Sequence, residues 1–269
     1  MAPARPVVPA DLLAAVLRRD AAGPLVTHYD DRTGERVELS AATLANWVAK
    51  TANLLQDEFD VGPGSRVAVA LPVHWQTAAV LLGVWSCGAA VVDTPAEDDG
   101  GLDDVDVVLA EQDRVAAVEE LGVEELLGLS LHPLGAGMTG YAGAARDFAL
   151  EVRVHGDHFV PYGPVDPAGP GLLLAGLELS LGGLVDVAGE LADRLGVRAG
   201  DRVLVDARAA EEAGPVAWLL APLAAGASLV VCRHPASDQL KRRAEAEGVT
   251  ATLGLGLDGI RELGRPAPS

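Results

Sequence analysis

Three stretches of the chain gather side chains able to do chemistry. HGDHF (155–159) sets His155 and His158 three residues apart around Asp157. Two imidazoles at that spacing can share a metal ion, but a structural site takes four ligands and a catalytic one takes three. A third is not evident here, and the segment reads as strand or loop, so solvent-facing imidazoles and no metal are expected. GLGLDG (254–259) is a literal GxGxxG following a strand-like run. A dinucleotide site would need a βαβ unit and an acidic residue about twenty positions on, and ten residues follow Gly259. RHPASDQLKRR (233–243) puts Lys241, Arg242 and Arg243 on one helix with few acids, which reads as a solvated helix. The acidic run AEDDGGLDDVD (96–106) lacks the Asp/Asn spacing and closing Glu of a calcium loop and reads as a solvated loop. A Ser-His-Asp hydrolase has no GxSxG elbow to build on.

Ligands of open α/β sheets sit outside the carboxyl ends of parallel strands. That rule selects Pro72 and His74 after RVAVAL, Asp93 after AAVV, Asp206 and Arg208 after RVLV, and His234 after LVVC. Each also reads as an ordinary loop residue.

The elements that position these residues come from a phrase used twice. Residues 38–71 read ELSAATLANWVAKTANLLQDEFDVGPGSRVAVAL, and residues 178–205 read ELSLGGLVDVAGELADRLGVRAGDRVLV. Ser40 aligns with Ser180, Leu44 with Leu184, and Val61, Gly64, Arg66 and Val67 with Val197, Gly200, Arg202 and Val203. GAAVV (88–92) aligns with GASLV (226–230). In each copy a Ser can cap a helix by accepting a backbone N–H. An apolar stripe follows at helical spacing, then a Gly turn and a buried strand. The offset of about 136–140 residues indicates two related α/β lobes and not a solenoid. The fold expected is α/β, two lobes of mostly parallel sheet with flanking helices. The lobes are placed at 1–165, with a Gly- and Pro-rich connector from about 135 to 165, and at 166–269. Further strands are expected at 24–30 and 36–39 as a hairpin, and at 105–110, 125–131 and 249–254, with one short strand, EVRVHG (151–156), inside the connector.

Composition narrows the partners. A net charge of −19 repels phosphate backbones and anionic lipid, so nucleic acid is not expected. From Val67 to Val92 no charged residue occurs, long enough to span a bilayer. Pro72, His74, Gln76, Gly83 and Gly88 instead divide it into strand, helix (about 75–86) and strand, as a sheet covered on both faces requires. Two cysteines, Cys87 and Cys232, outside any CxxC, read as buried reduced thiols. With no apolar h-region near the N-terminus, a cytoplasmic location is expected.

VGPGSRVAVALP with GAAVVDTP, and GVRAGDRVLV with LLAPLAAGASLVV, resemble in order and spacing the N-terminal domain of adenylate-forming enzymes: acyl-CoA synthetases, adenylation domains and luciferases. The outline is also similar to that of short actinobacterial proteins. The resemblance covers about 11–110 and 170–260, and implies that family's two-lobed fold. The family enters its second lobe through a Ser/Thr/Gly loop ending in Pro-Lys-Gly that wraps ATP phosphates. Here DPAGPGLLLAGLELSLGGLV (166–185) has one hydroxyl, Ser180, no Lys or Arg, and Glu178 where phosphate oxygens would lie. DARAAEEAG (206–214) lacks the family's aromatic-His segment, and the chain stops at Ser269, ahead of the adenine segment, the ribose-binding Asp and the C-terminal domain with its catalytic Lys. Lys50 and Lys241 sit in amphipathic helices and are poor substitutes. The resemblance therefore implies a catalytically inactive homologue with no cofactor, acting as a binding or scaffold protein for an acyl or nucleotide-like metabolite or a protein partner, a second copy of the chain in a homodimer included; the alternative is a residual acyl-activating ligase completed by a partner chain.

Overall fold

The structure is a computed structural model and describes residues 5–93, 102, 104–174 and 176–264. Most of the acidic run at 96–106 lies outside the described residues.

Helix α1 (Pro9–Arg19) leads into the hairpin β1 (Pro24–Asp30) and β2 (Glu35–Ser40). Then come α2 (Ala41–Phe59), β3 (Arg66–Ala70), α3 (Trp75–Ser86), β4 (Ala90–Asp93), β5 (Val107–Glu111), α4 (Gln112–Glu120), β6 (Leu126–Leu129), β7 (Arg146–Asp147) and the short α5 (Phe148–Glu151). The second copy opens on another hairpin, β8 (Pro170–Leu174) and β9 (Leu177–Ser180). It continues through α6 (Leu181–Leu195), β10 (Arg202–Asp206), α7 (Ala207–Pro215), α8 (Ala221–Ala225), β11 (Ser228–Arg233), α9 (Ser237–Ala246), β12 (Ala251–Leu253) and β13 (Arg261–Glu262).

The strands form two mostly parallel sheets, ordered β13-β12-β10-β11-β1-β2 and β7-β6-β5-β3-β4-β8-β9. Each sheet takes its antiparallel edge hairpin from the other half of the chain. β1 runs parallel to β11, and β8 parallel to β4. Sheet membership therefore does not follow the chain division at 165/166. Both hairpins start on a Pro paired with the capping Ser, Pro24 with Ser40 and Pro170 with Ser180, and both shift register at the next residue. The duplication thus extends to the irregularity of the hairpin itself.

Alternation along the strands fixes the layers. Val67 and Val69 of β3, Val203 and Val205 of β10, and Leu229 and Val231 of β11 join one central core with residues of α1, α2, α3, α6 and α8. Their neighbours point outward. Ala68 and Ala70 meet Val115 and Val118 of α4, while Leu204, Val230 and Cys232 meet Leu240 and Ala244 of α9. With both faces covered, the continuous apolar strands read from the sequence are accounted for. Among the described residues, no helix is long and apolar enough to cross a membrane. Cys87 and Cys232 are buried free thiols, and burial raises them to about 12 and about 11.

The halves are tied through the exchanged hairpins. The buried Trp85 indole N–H donates to the Gly171 carbonyl of β8 at 2.7 Å. A Cβ at Gly171 would come within 2.8 Å of Leu184 and 3.0 Å of the Leu181 nitrogen, so the hairpin sits on α6 only with glycine there.

EVRVHG is not a strand. Asp147 accepts a hydrogen bond from the Ala149 N–H and starts α5, a 3₁₀ turn continues it over Val152–Val154, and Phe148 and Val152 are buried four residues apart. That is helical spacing, which the alternation of apolar and polar residues in EVRV conceals.

Candidate functional site

A cleft of about 290 Å³ lies at the carboxyl ends of β3, β4 and β5, with α7 along its other side. Each wall follows from local sequence. Leu71-Pro72 ends β3, because proline has no N–H to extend the ladder. The Thr77 hydroxyl donates to the Pro72 carbonyl at 2.6 Å and closes the turn into α3. β5 passes directly into α4 at Glu111, whose side chain makes no cap and instead meets Arg233 of β11 at 3.2 Å. This pair joins the two sheets at their carboxyl edges. Arg114, in the first turn of α4, is half-buried in the cleft wall, and among the described residues it has no ion-pair partner.

The opposite wall is irregular by construction. Gly214 interrupts α7 at φ 77°, ψ 170°, a conformation essentially confined to glycine. Pro215 restarts the helix, and the next turn, Val216–Leu220, is a π-helix. Such π turns are often found at functional sites. Here it sets the buried Trp218 in the cleft wall. Glu211 crosses between the halves, its carboxylate accepting the Val73 N–H at 3.2 Å. The result, among the described residues, is a mostly apolar cleft with one guanidinium that has no ion-pair partner and two carboxylates already engaged.

Beside it the two sheets meet through buried histidines. The rings of His28 on β1 and His74 lie edge to face, 4.2 Å between centroids, and both residues are buried. Nδ1 of His74 accepts the Gln76 N–H at 3.1 Å, which caps α3. Burial pushes His28 down to about 4, with Asp30 working against the shift and Arg233 reinforcing it. Burial, then His28 and Arg233, holds His74 well below the ordinary imidazole range. Both rings are therefore neutral at pH 7. Burial alone would raise the Asp30 carboxyl, but hydrogen bonds from His234 and the Arg32 N–H hold it below its usual value.

The strand-end residues have separate employments. Pro72 lines the cleft. His74 caps α3. Asp93 closes β4, and its side chain lies outside the described residues. Asp206 caps α7, accepting the Ala209 N–H at 2.9 Å. Arg208 is 89% exposed and pairs with Glu212 at 3.5 Å. His234, at φ 49°, places Nδ1 3.0 Å from Asp30. Glu111, Arg114, Glu211 and Trp218 were not among the sequence candidates. The strand-end rule, applied also to VDVVLA, would have reached Glu111.

Two surface readings need correction. Arg243 is not solvated: it is buried, pairs with Asp31 and lies 4.1 Å over the Tyr29 ring. Tyr29 and Asp31 reach it from a hairpin more than two hundred residues away in sequence, so no local pattern announces the contact. The His155 side chain is 9% exposed, with Nδ1 3.7 Å from Asp57, while His158 is exposed.

The stretch aligned with a phosphate-wrapping loop is a tight hairpin. β8 is followed by an antiparallel second strand, β9, with Leu174 paired to Leu177, where the sequence suggests one strand and then a helix. The Ser180 hydroxyl accepts the Gly183 N–H at 3.0 Å and caps α6. Glu178 is exposed, and no Lys or Arg occurs from 166 to 193. ATP, which this fold suggests, needs hydroxyls, N–H groups and a cation around its phosphates. These residues do not fit it.

Two sheets sharing exchanged hairpins, with a cleft at their carboxyl edges, define the class: the N-terminal fold of AMP-binding enzymes. The sequence model of the family described as AMP-binding enzyme matches residues 18–128. Three solved structures share the fold at 14% identity. They are the N-terminal domain of FACL13 from Mycobacterium tuberculosis (TM-score 0.71, 92% of this chain and 62% of that one), a Mycobacterium tuberculosis fatty acyl CoA synthetase (0.70, 91% and 49%) and the anthranilate CoA ligase AuaEII in complex with anthranoyl-AMP (0.70, 93% and 50%). The chain thus spans about half to three fifths of their lengths.

Within that class the chain belongs to the TIGR03089 family. It is 47% identical over 249 residues to the TIGR03089 family protein of Mycobacterium tuberculosis, covering 90% of this chain and 96% of that one.

Proposed function

We propose that the protein is a catalytically inactive relative of adenylate-forming enzymes that binds a small acidic metabolite in the cleft between its sheets. The observation that carries this reading is a contrast of charge. Arg114 stands half-buried and unpaired among the described residues of the cleft, while the 170–180 hairpin has no cation and uses its hydroxyl as a helix cap. One guanidinium suits a single carboxylate or phosphate, since Arg forks match such anions in two parallel hydrogen bonds. A triphosphate beside engaged carboxylates and a net charge of −19 has no comparable partner. The apolar walls of Val73, Leu81, Val91 and Trp218 suit an acyl or aryl body.

The test is a thermal-shift screen with short acyl and aryl carboxylates, AMP, ATP and CoA. A cognate acid at a hundredfold over Kd stabilises by about 2.7 kcal/mol. Arg114→Gln is expected to abolish the shift without lowering the melting temperature of the free protein. Shifts indifferent to that substitution would overturn the reading. The second reading, a residual acyl-activating ligase completed by another chain, is supported by the AMP-binding family match. It requires ATP–pyrophosphate exchange with some carboxylic acid, and we expect none.

A further inference from the structure

A second cleft, of about 530 Å³, lies between α1, α2, the end of α3 and the connector, and among the described residues it shares no lining residue with the first. Its walls are apolar: Leu17 of α1, Ala45 and Val48 of α2, Trp85 of α3, and Phe159 and Val165 of the connector. The indole N–H of Trp85 is engaged by Gly171, so this ring offers carbon surface to an occupant. Polar groups are few. Asn46, Asp157 and His158 are exposed, and the Ser86 hydroxyl donates back to Leu82 at 2.7 Å. Among the described residues, no Lys or Arg lines it.

The connector crosses this cleft as a strap. Lys50, Asn53 and Gln56 recur every three residues along one side of α2. Lys50 donates to the His155 carbonyl, and Asn53 donates to those of Gly156 (2.9 Å) and His158 (3.0 Å). Gln56 donates to the Val160 carbonyl at 3.3 Å and accepts the Tyr162 N–H at 2.9 Å. Among the described residues the strap pairs with no strand, and these side-chain bonds to its backbone hold it down. Segments attached through few, solvent-accessible hydrogen bonds open at low free-energy cost.

We propose that this cleft binds a neutral, mostly apolar small molecule beneath the strap, with Asn46 and the Asp157–His158 pair hydrogen-bonding its polar end. The volume is that of a small-molecule site. Charge sets the class of ligand: with Asp157 at the rim, no Lys or Arg among the described lining residues and a net charge of −19, carboxylates and phosphates are disfavoured here, the reverse of the Arg114 cleft.

The test titrates the full chain with N-phenyl-1-naphthylamine, a neutral probe that fluoresces in apolar surroundings. Saturable binding at one site is expected, undisturbed by Arg114→Gln. Ala45→Trp, which places an indole in the cleft, should raise Kd at least about tenfold while circular dichroism and melting match the parent protein. Asn53→Ala should speed both association and dissociation at least about threefold, since the strap lifts more often. If Ala45→Trp does not fold, Ala42→Trp carries the same expectation from the first turn of α2. Absent saturable binding, an unchanged Kd in the filled variant, tighter binding of a sulfonated analogue than of the neutral probe, or loss of self-association in place of probe binding would each overturn the proposal. The last outcome would mark the groove as a contact between copies of the chain.

Discussion

Ser40 and Ser180 stand 140 positions apart and do the same thing: each ends the second strand of an edge hairpin and caps the helix that follows. Their hydroxyls accept from Thr43 at 3.1 Å and Gly183 at 3.0 Å, at backbone angles of −68°, 164° and −72°, 163°. The two hydroxyls hold equivalent structural positions. Ser40→Ala and Ser180→Ala should therefore cost alike, about 1 kcal/mol each, and add in the double variant. Denaturant unfolding checks this. A Ser180→Ala cost far below that of Ser40→Ala would mean the two serines are not equivalent.

The buried imidazole pair predicts acid sensitivity. An unfolded His titrates near 6.5, whereas folded His28 titrates near 4. Between those values the unfolded chain binds more protons, so stability falls as pH falls from 6.5 towards 4. The slope from His28 approaches about 1.4 kcal/mol per pH unit. His28→Gln should flatten the stability–pH curve in this window whatever its effect at pH 8. An unchanged slope would show that His28 is not held neutral.

A second acid transition lies lower. Glu247 joins Tyr29, Arg36 and Arg202, with oxygens 2.6, 2.9 and 2.5 Å from their donors. Burial alone would raise its carboxyl, but these hydrogen bonds hold it at about 2. Its contribution is present above about 4.5 and is lost as pH falls through 4.5 towards 2. Glu247→Gln should cost about 2 kcal/mol at pH 7 and nothing further at pH 2. Urea midpoints at the two pH values measure it.

Gly214 should tolerate no side chain. At φ 77°, ψ 170°, Gly214→Ala is expected to cost about 2 kcal/mol and to shift the π turn that carries Trp218. The quenching of tryptophan emission by acids entering the cleft should fall with it. Full acid binding in this variant would show that the kink does not shape the cleft.

Much of this architecture is legible in local pattern, and the limits have physical causes. Caps, stripes and Gly turns are written within a few residues, so the duplicated helices and strands could be read directly. Which sheet a hairpin joins is decided by partners far away: His28 lies beside Val231 in the sheet because β11 receives β1. No local signal in PLVTHYD records that exchange. Arg243 reads as a surface charge for the same reason, its partners being Tyr29 and Asp31. The cleft was half visible. Pro72 follows from the strand-end rule, whereas Glu211 faces it from α7, an element of the other half of the chain, and Trp218 reaches it through the break at Gly214 and the π turn.

The central claim is that this fold keeps a cleft for a small acid and lacks a grip for triphosphate. Equilibrium dialysis of radiolabelled ATP with Mg²⁺ against the full chain tests it most directly. The account predicts no saturable binding up to about 1 mM, a free energy weaker than about −4 kcal/mol. Saturable binding in the micromolar range that is weakened by Ser180→Ala would contradict it.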